Sequence, residues 1–286
     1  MSPEKQTTKA LVLGGGGVAG IGWETGILFG LAEAGVDVTD ADVVIGTSAG
    51  AAVAAQVLSG TPLATLYDRH VFPEGPSTEI AAELDVEKMM KDWGALLSTH
   101  EPGPDLRAAI GRYALTSGTP TERERRAVIE ARLPSHDWPD ADLRIVIVDA
   151  ATGDERIVTR DDGVPLVDTV AASCAVPGIW PPVTIGDRRY IDGGVRSSAN
   201  VDLAEGNDVV LVLAPVGDLT APEPAIAKRL AKVEKKSTLL TIGPDEASLA
   251  AAGANPLDPA SAGPAARPGR EQARQLLDEV AGVWSA

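Results

Sequence analysis

The chain has 286 residues, enough for one large α/β domain or two small ones, and 44% hydrophobic with 23% charged residues excludes wholesale disorder or a collagen-like repeat. Lys and Arg number 25 against 41 Asp and Glu, and no acidic tail or basic block accounts for the resulting net charge of −16. Nucleic-acid binding as the main function needs clustered cations or rows of aromatic rings, and a net charge of −16 with aromatics at 3% argues against it.

A single cysteine, Cys174, cannot close an intramolecular disulfide, and the start MSPEKQTTKA has no apolar run of the signal-peptide kind. A cytoplasmic location is the expectation, with at most a transient, peripheral contact with a membrane surface. The longest apolar stretch, Val43 to Leu58, carries Thr47 and Ser48 and is short for a bilayer span.

In chain order, Lys9 to Leu13 is a compact apolar run ended by four glycines, and Ile21 to Ala34 follows with helical spacing. The pattern repeats: Asp42 to Ile45 reads as a buried strand, Gly46 to Gly50 as a turn, Ala51 to Leu58 as a small-residue helix. Two strand-turn-helix units in succession predict a parallel sheet. Residues 61–140 are broken by prolines at 62, 73, 76, 102, 104, 120, 134 and 139, which predicts a helical cap inserted after the second helix. Strand patterns return at 143–148, 155–159, 188–191, 208–213 and 238–242, for six or seven strands in all. Between the last two, residues 225–236 place Ile226, Leu230 and Val233 on one helical face and lysines around the other, read as a solvated face in preference to a membrane-surface helix. Residues 251–269, rich in Ala, Pro and Gly, read as a surface loop before a last helix over 270–284. The plan is then a tail (1–8), one α/β domain (9–250) containing the cap (61–140), the loop (251–269) and a C-terminal helix segment (270–286).

Gly46-Thr47-Ser48-Ala49-Gly50 fits G-x-S-x-G between a strand and a helix, where a sharp turn lifts a serine hydroxyl above the sheet, so Ser48 is the candidate nucleophile. The run Gly14 to Gly17, with Gly20 beyond, can aim several backbone N–H groups at one point and hold an anion. Two anions compete: a transient oxyanion, and a dinucleotide pyrophosphate, because Gly15, Gly17 and Gly20 also match G-x-G-x-x-G. An NAD(P)-binding oxidoreductase would need an acid at the end of the second strand, which here ends in Gly46-Thr47-Ser48; that reading is kept as the alternative. A P-loop is excluded because no Lys-Ser or Lys-Thr follows the glycines. The three histidines, His70, His100 and His136, all lie in the proline-broken region and none follows residue 136, so a Ser-Asp-His order lacks its late histidine. Tyr190-Ile-Asp-Gly-Gly194 ends a strand with Asp192 on a glycine turn. Cys174 reads as a small buried residue, and no histidine or cysteine spacing suggests zinc.

Taken together and in order, the glycine loop, G-x-S-x-G and Asp-Gly-Gly resemble the patatin-like phospholipase family. Residues 171–183, with their Pro-Gly and Pro-Pro steps, resemble the family's segment ahead of the aspartate, and the likeness spans about Lys9 to Leu213, more loosely 255–259. The resemblance implies a three-layer α/β/α fold with a mostly parallel central sheet and a helical insertion after the nucleophile helix. It implies a Ser-Asp dyad acting on lipid acyl esters, Ser48 attacking and Asp192 accepting its proton, with Gly15, Gly16, Gly17 and Ala49 as oxyanion donors and neither metal nor cofactor. Trp180 would line an acyl pocket or the core. Many members carry Arg or Lys before the last loop glycine, where this chain has Ala19. A lipid-binding protein of the same fold without hydrolysis is the alternative from another class.

Overall fold

A computed structural model describes residues 7–75, 79–81, 86–216 and 223–285, the side chains of 86–90 excepted. The strands are β1 (Lys9–Leu13), β2 (Val43–Gly46), β3 (Asp142–Asp149), β4 (Glu155–Val158), β5 (Val183–Ile185), β6 (Arg188–Asp192), β7 (Val209–Leu213) and β8 (Thr238–Ile242). The helices are α1 (Gly17–Glu33), α2 (Ala49–Val57), α3 (Leu63–Val71), α4 (Val86–Thr99), α5 (Pro104–Thr116), α6 (Glu122–Arg132), α7 (Leu166–Ser173), α8 (Pro224–Lys236), α9 (Glu246–Ala252), α10 (Ala262–Gln275) and α11 (Leu277–Trp284).

All eight strands form one sheet. β3, β2, β1, β7 and β8 lie side by side in parallel, and β4 and β6 run antiparallel to β3, with β5 on β6. β5, three residues long, is the strand that the hydrophobic pattern does not reveal. The inner strands read as unbroken Val, Leu and Ile runs because helices cover both faces. Alternation along β1 sends Leu11 and Leu13 into the core beneath α1, α2, α7 and α11, and Ala10 and Val12 to the opposite face, beneath α8 and a short 3₁₀ turn at Val201–Ala204.

The pairing register of β3 positions the site. Residue 145 of β3 has Gly46 of β2 on one side and Val158 of β4 on the other, while residue 147 has Asp192 of β6 and Arg156 of β4. β2 and β6 therefore meet end to end along the same edge of β3. The last residue of β6 faces the turn that follows β2.

Helices α3 to α6 follow α2 as the expected insertion, and they pack on the rest of the domain: α5 buries Leu106 and Ile110 against Val148 and Ile191 of the sheet, α3 packs on α1, and α6 packs on α7. One segment departs from the sequence expectation. Residues 262–269, assigned to a surface loop, are the first half of α10, which lies along α1. The composition misleads because the small residues serve contact. A Cβ on Gly22 would stand 2.0 Å from the carbonyl oxygen of Ala262, and one on Gly26 2.2 Å from that of Ala266, so the two helices touch backbone to backbone. That close approach holds the helix despite Pro268 in its interior.

Candidate active site

Ser48 stands between β2 and α2 with φ 53° and ψ −117°, backbone angles that a non-glycine residue adopts only where its surroundings impose them. The flanking glycines make the turn fit: a Cβ on Gly46 would lie 2.6 Å from Cα of Ala51, and one on Gly50 2.1 Å from the carbonyl oxygen of Leu13. The backbone of Ser48 is held on both sides. Its N–H donates to Oγ of Ser173 at 2.9 Å, whose hydroxyl donates to the Val146 carbonyl at 2.8 Å, and its carbonyl accepts the thiol of Cys174 at 3.1 Å.

The Ser48 hydroxyl donates to Oδ2 of Asp192 at 2.7 Å, and Oδ1 of Asp192 accepts the N–H of Gly194 at 2.7 Å. Asp192 is 4% exposed. Burial pushes its carboxyl up to about 7, against the opposing pull of the Ser48 and Gly194 hydrogen bonds. Among the described residues no histidine is hydrogen-bonded to either side chain. His70 is half-buried on α3, while His100 and His136 bond to backbone carbonyls of their own helical region.

The glycine loop passes beside the nucleophile, since a Cβ on Gly15 would be 3.5 Å from that of Ser48. The N–H of Gly15 already donates to the carbonyl of Ser198 at 2.8 Å, so it is not a free donor in this conformation. The N–H groups of Gly16, Gly17 and Ala49 have no hydrogen-bond acceptor among the described residues. They belong to the N-termini of α1 and α2, which converge on Ser48 with the positive ends of their dipoles. The dinucleotide alternative fits poorly: the carbonyl of Pro256 accepts the Ala19 N–H at 2.9 Å, and a Cβ on Gly17 would meet that carbonyl at 2.7 Å, so chain from 256–257 covers the loop where a pyrophosphate would lie.

Sequence reading missed the supports. Asn200, at φ 55°, donates from Nδ2 to Thr47 Oγ1 at 2.9 Å and accepts from Arg196 Nη1 at 2.6 Å. Arg196 pairs with Asp202 through two bonds of 2.8 and 2.7 Å, both side chains being fully buried. That network pins the segment after Asp192 to the nucleophile turn. Glu24 of α1 is also fully buried, and burial raises its carboxyl well above the usual range, against the pull of the Gly14 backbone. Only Ser173, inside the family-like stretch 171–183, lay in a segment that the sequence had singled out. Trp180 is 3% exposed, and the guanidinium of Arg125 lies over its ring at 3.9 Å. The basic residues of α8 surround a seam of buried Ile226 and Val233 that packs on the sheet. Among the described residues no helix is long and apolar enough to cross a membrane.

The patatin-like phospholipase family matches residues 11–205, well over half of the chain. The chain belongs to that family, which places it among lipid hydrolases. Among solved structures it is similar to VipD from Legionella pneumophila, at 16% identity and a TM-score of 0.44 over 96% of this chain and 67% of that one. It is also similar to the type III effector protein ExoU, at 17% identity and a TM-score of 0.40 over 94% of this chain and 53% of that one.

Proposed function

We propose that the protein hydrolyses acyl esters of lipids through a dyad of Ser48 and Asp192. The observation that carries this reading is the 2.7 Å hydrogen bond from the strained serine to a buried, otherwise histidine-free carboxylate. Ser48 Oγ attacks the ester carbonyl while its proton passes to Asp192 Oδ2, and the developing oxyanion is received by the N–H groups of Gly16, Gly17 and Ala49. Asp192 then returns the proton to the leaving alcohol as the C–O bond breaks, leaving an acyl-serine. Water, deprotonated by the same carboxylate, then attacks the acyl carbon; the bond to Ser48 Oγ breaks, Asp192 returns the proton to Oγ, and the fatty acid is released.

An ordinary aspartate is too weak a base for this role, and a carboxyl brought to about 7 is matched to neutral pH. Gly15 shapes the loop through its bond to Ser198 and is not assigned as a donor. The test is labelling with a fluorophosphonate alongside turnover of a short-chain ester. Ser48→Ala is expected to abolish labelling and lower kcat by roughly four or more orders of magnitude. Labelling that persists in the variant would overturn the assignment.

A further inference from the structure

Two arginines of α6 stand close behind the nucleophile, and no step of the proposed hydrolysis uses them. Arg125 and Arg132, two helical turns apart, both turn to the carboxylate of Glu79: Arg132 Nε lies 2.9 Å from Oε1 and Arg125 Nη1 3.2 Å from Oε2. The guanidinium-bearing side chains are only 6% and 9% exposed. Among the described residues, two cations against one anion leave a positive charge uncompensated where water is scarce, an arrangement that is costly unless a further anion joins it. Nε of Arg125 is buried without an acceptor among the described residues. Its plane is fixed by Trp180, whose ring lies 3.9 Å away.

Arg132 is both near the chemistry and reachable. The charge of Arg132 acts on the Cys174 thiol, and that thiol donates to the Ser48 carbonyl. Glu79 and Arg132 line a cavity of about 1670 Å³ together with Val18 of α1, Gln56 of α2 and Leu133. His70, on the same cavity, is held down to about 4, first by burial and then by the charges of Arg132 and Arg69. No Lys or Arg occurs between Lys9 and Arg69, so the glycine loop and the nucleophile turn carry no cation of their own.

We propose that Arg125 and Arg132 form an anion subsite for an oxyacid group, phosphodiester or carboxylate, carried by the acyl ester that Ser48 attacks, the carboxylate of Glu79 holding that position in the unliganded protein. The inference rests on the acyl-hydrolase reading. Guanidinium pairs suit both anions because their paired N–H groups match two oxygens of either.

The test compares esters with and without the anionic group. Dihexanoylphosphatidylcholine is set against dihexanoylglycerol, and 4-hexanoyloxybenzoate against its methyl ester; inorganic phosphate is added as a competitor to detect binding of the free ion. Arg132→Gln is expected to lower the anionic-to-neutral ratio of kcat/KM by about 10- to 100-fold, chiefly through KM, in whichever pair carries the recognised anion. Glu79→Gln, which removes the competing carboxylate, is expected to raise the same ratio. A second readout is independent of turnover: calorimetric titration of Ser48→Ala protein with the diether analogue of the phosphatidylcholine and with 4-hydroxybenzoate, with and without Arg132→Gln. Should that variant fail to fold, Arg125→Lys serves in its place, with an expected fall of about 3- to 10-fold. Ratios unchanged in both pairs, or anion affinity unaffected by either arginine variant, would overturn the subsite while leaving the hydrolase reading intact. Absence of all ester turnover by folded wild-type protein would overturn that reading, and the titration would still decide the subsite.

Discussion

Asp192→Asn is expected to abolish activity and, above neutral pH, to make the protein more stable. The carboxyl titrates at about 7 in the folded protein against an ordinary value of 3.8. A group whose value is raised by folding favours the folded state while protonated and opposes it once ionised, so the stability it contributes is lost as pH rises through about 7. Between pH 5 and pH 7 the unfolded chain carries the ionised acid and the folded protein the neutral one, and each pH unit weakens folding by about 1.36 kcal/mol. Asparagine does not titrate. The stability of the variant relative to wild type should therefore improve by roughly 2–3 kcal/mol between pH 5 and pH 8, or roughly 5–10 °C in Tm. Thermal unfolding of both proteins followed by circular dichroism at the two pH values measures this directly. On a soluble ester, wild-type kcat/KM should rise about tenfold per unit below pH 7 and level off above it, while the Asn variant falls by about 10²- to 10⁴-fold. A Tm difference identical at pH 5 and pH 8 would refute the burial argument, and wild-type turnover by the Asn variant would refute the base.

Ser173→Ala removes the acceptor of the Ser48 N–H and the donor to Val146, and is expected to cost about 1–3 kcal/mol in urea unfolding and lower kcat about tenfold with KM little changed. A normal kcat would show that the turn is held without it. Simultaneous replacement of His70, His100 and His136 by Asn should preserve most of the ester turnover of the folded protein, whereas a folded but inactive triple variant would reinstate a histidine base. Gly26→Ala places a methyl group 2.2 Å from the Ala266 carbonyl oxygen and should cost about 3 kcal/mol by pushing α10 from α1, read as a shifted urea midpoint; an unchanged midpoint would mean that the helix pair is not needed for stability.

What the sequence determined by itself was whatever short-range sterics and hydrophobic patterning decide. The runs Lys9–Leu13 and Val209–Leu213 can only be strands covered on both faces, and a serine between Gly46 and Gly50 after a strand can only sit in a sharp turn, because larger residues at either glycine would strike the backbone. The absence of a late histidine was likewise visible in the order of residues alone. Partners hundreds of atoms apart along the chain were not. Ser48 meets Asp192 across 144 residues because β2 and β6 share one edge of β3, a matter of strand register that no local pattern encodes. The buried support of Asn200, Arg196 and Asp202 reads in sequence as ordinary polar loop, and becomes a network only when the dry interior forces each group to find a partner. The Pro and Gly residues of 262–269 carry weak helical preference, which the close contact with the glycine-lined side of α1 overrides. Local conformation is set by each residue and its neighbours, whereas which carboxylate faces which hydroxyl is set by how the whole sheet closes.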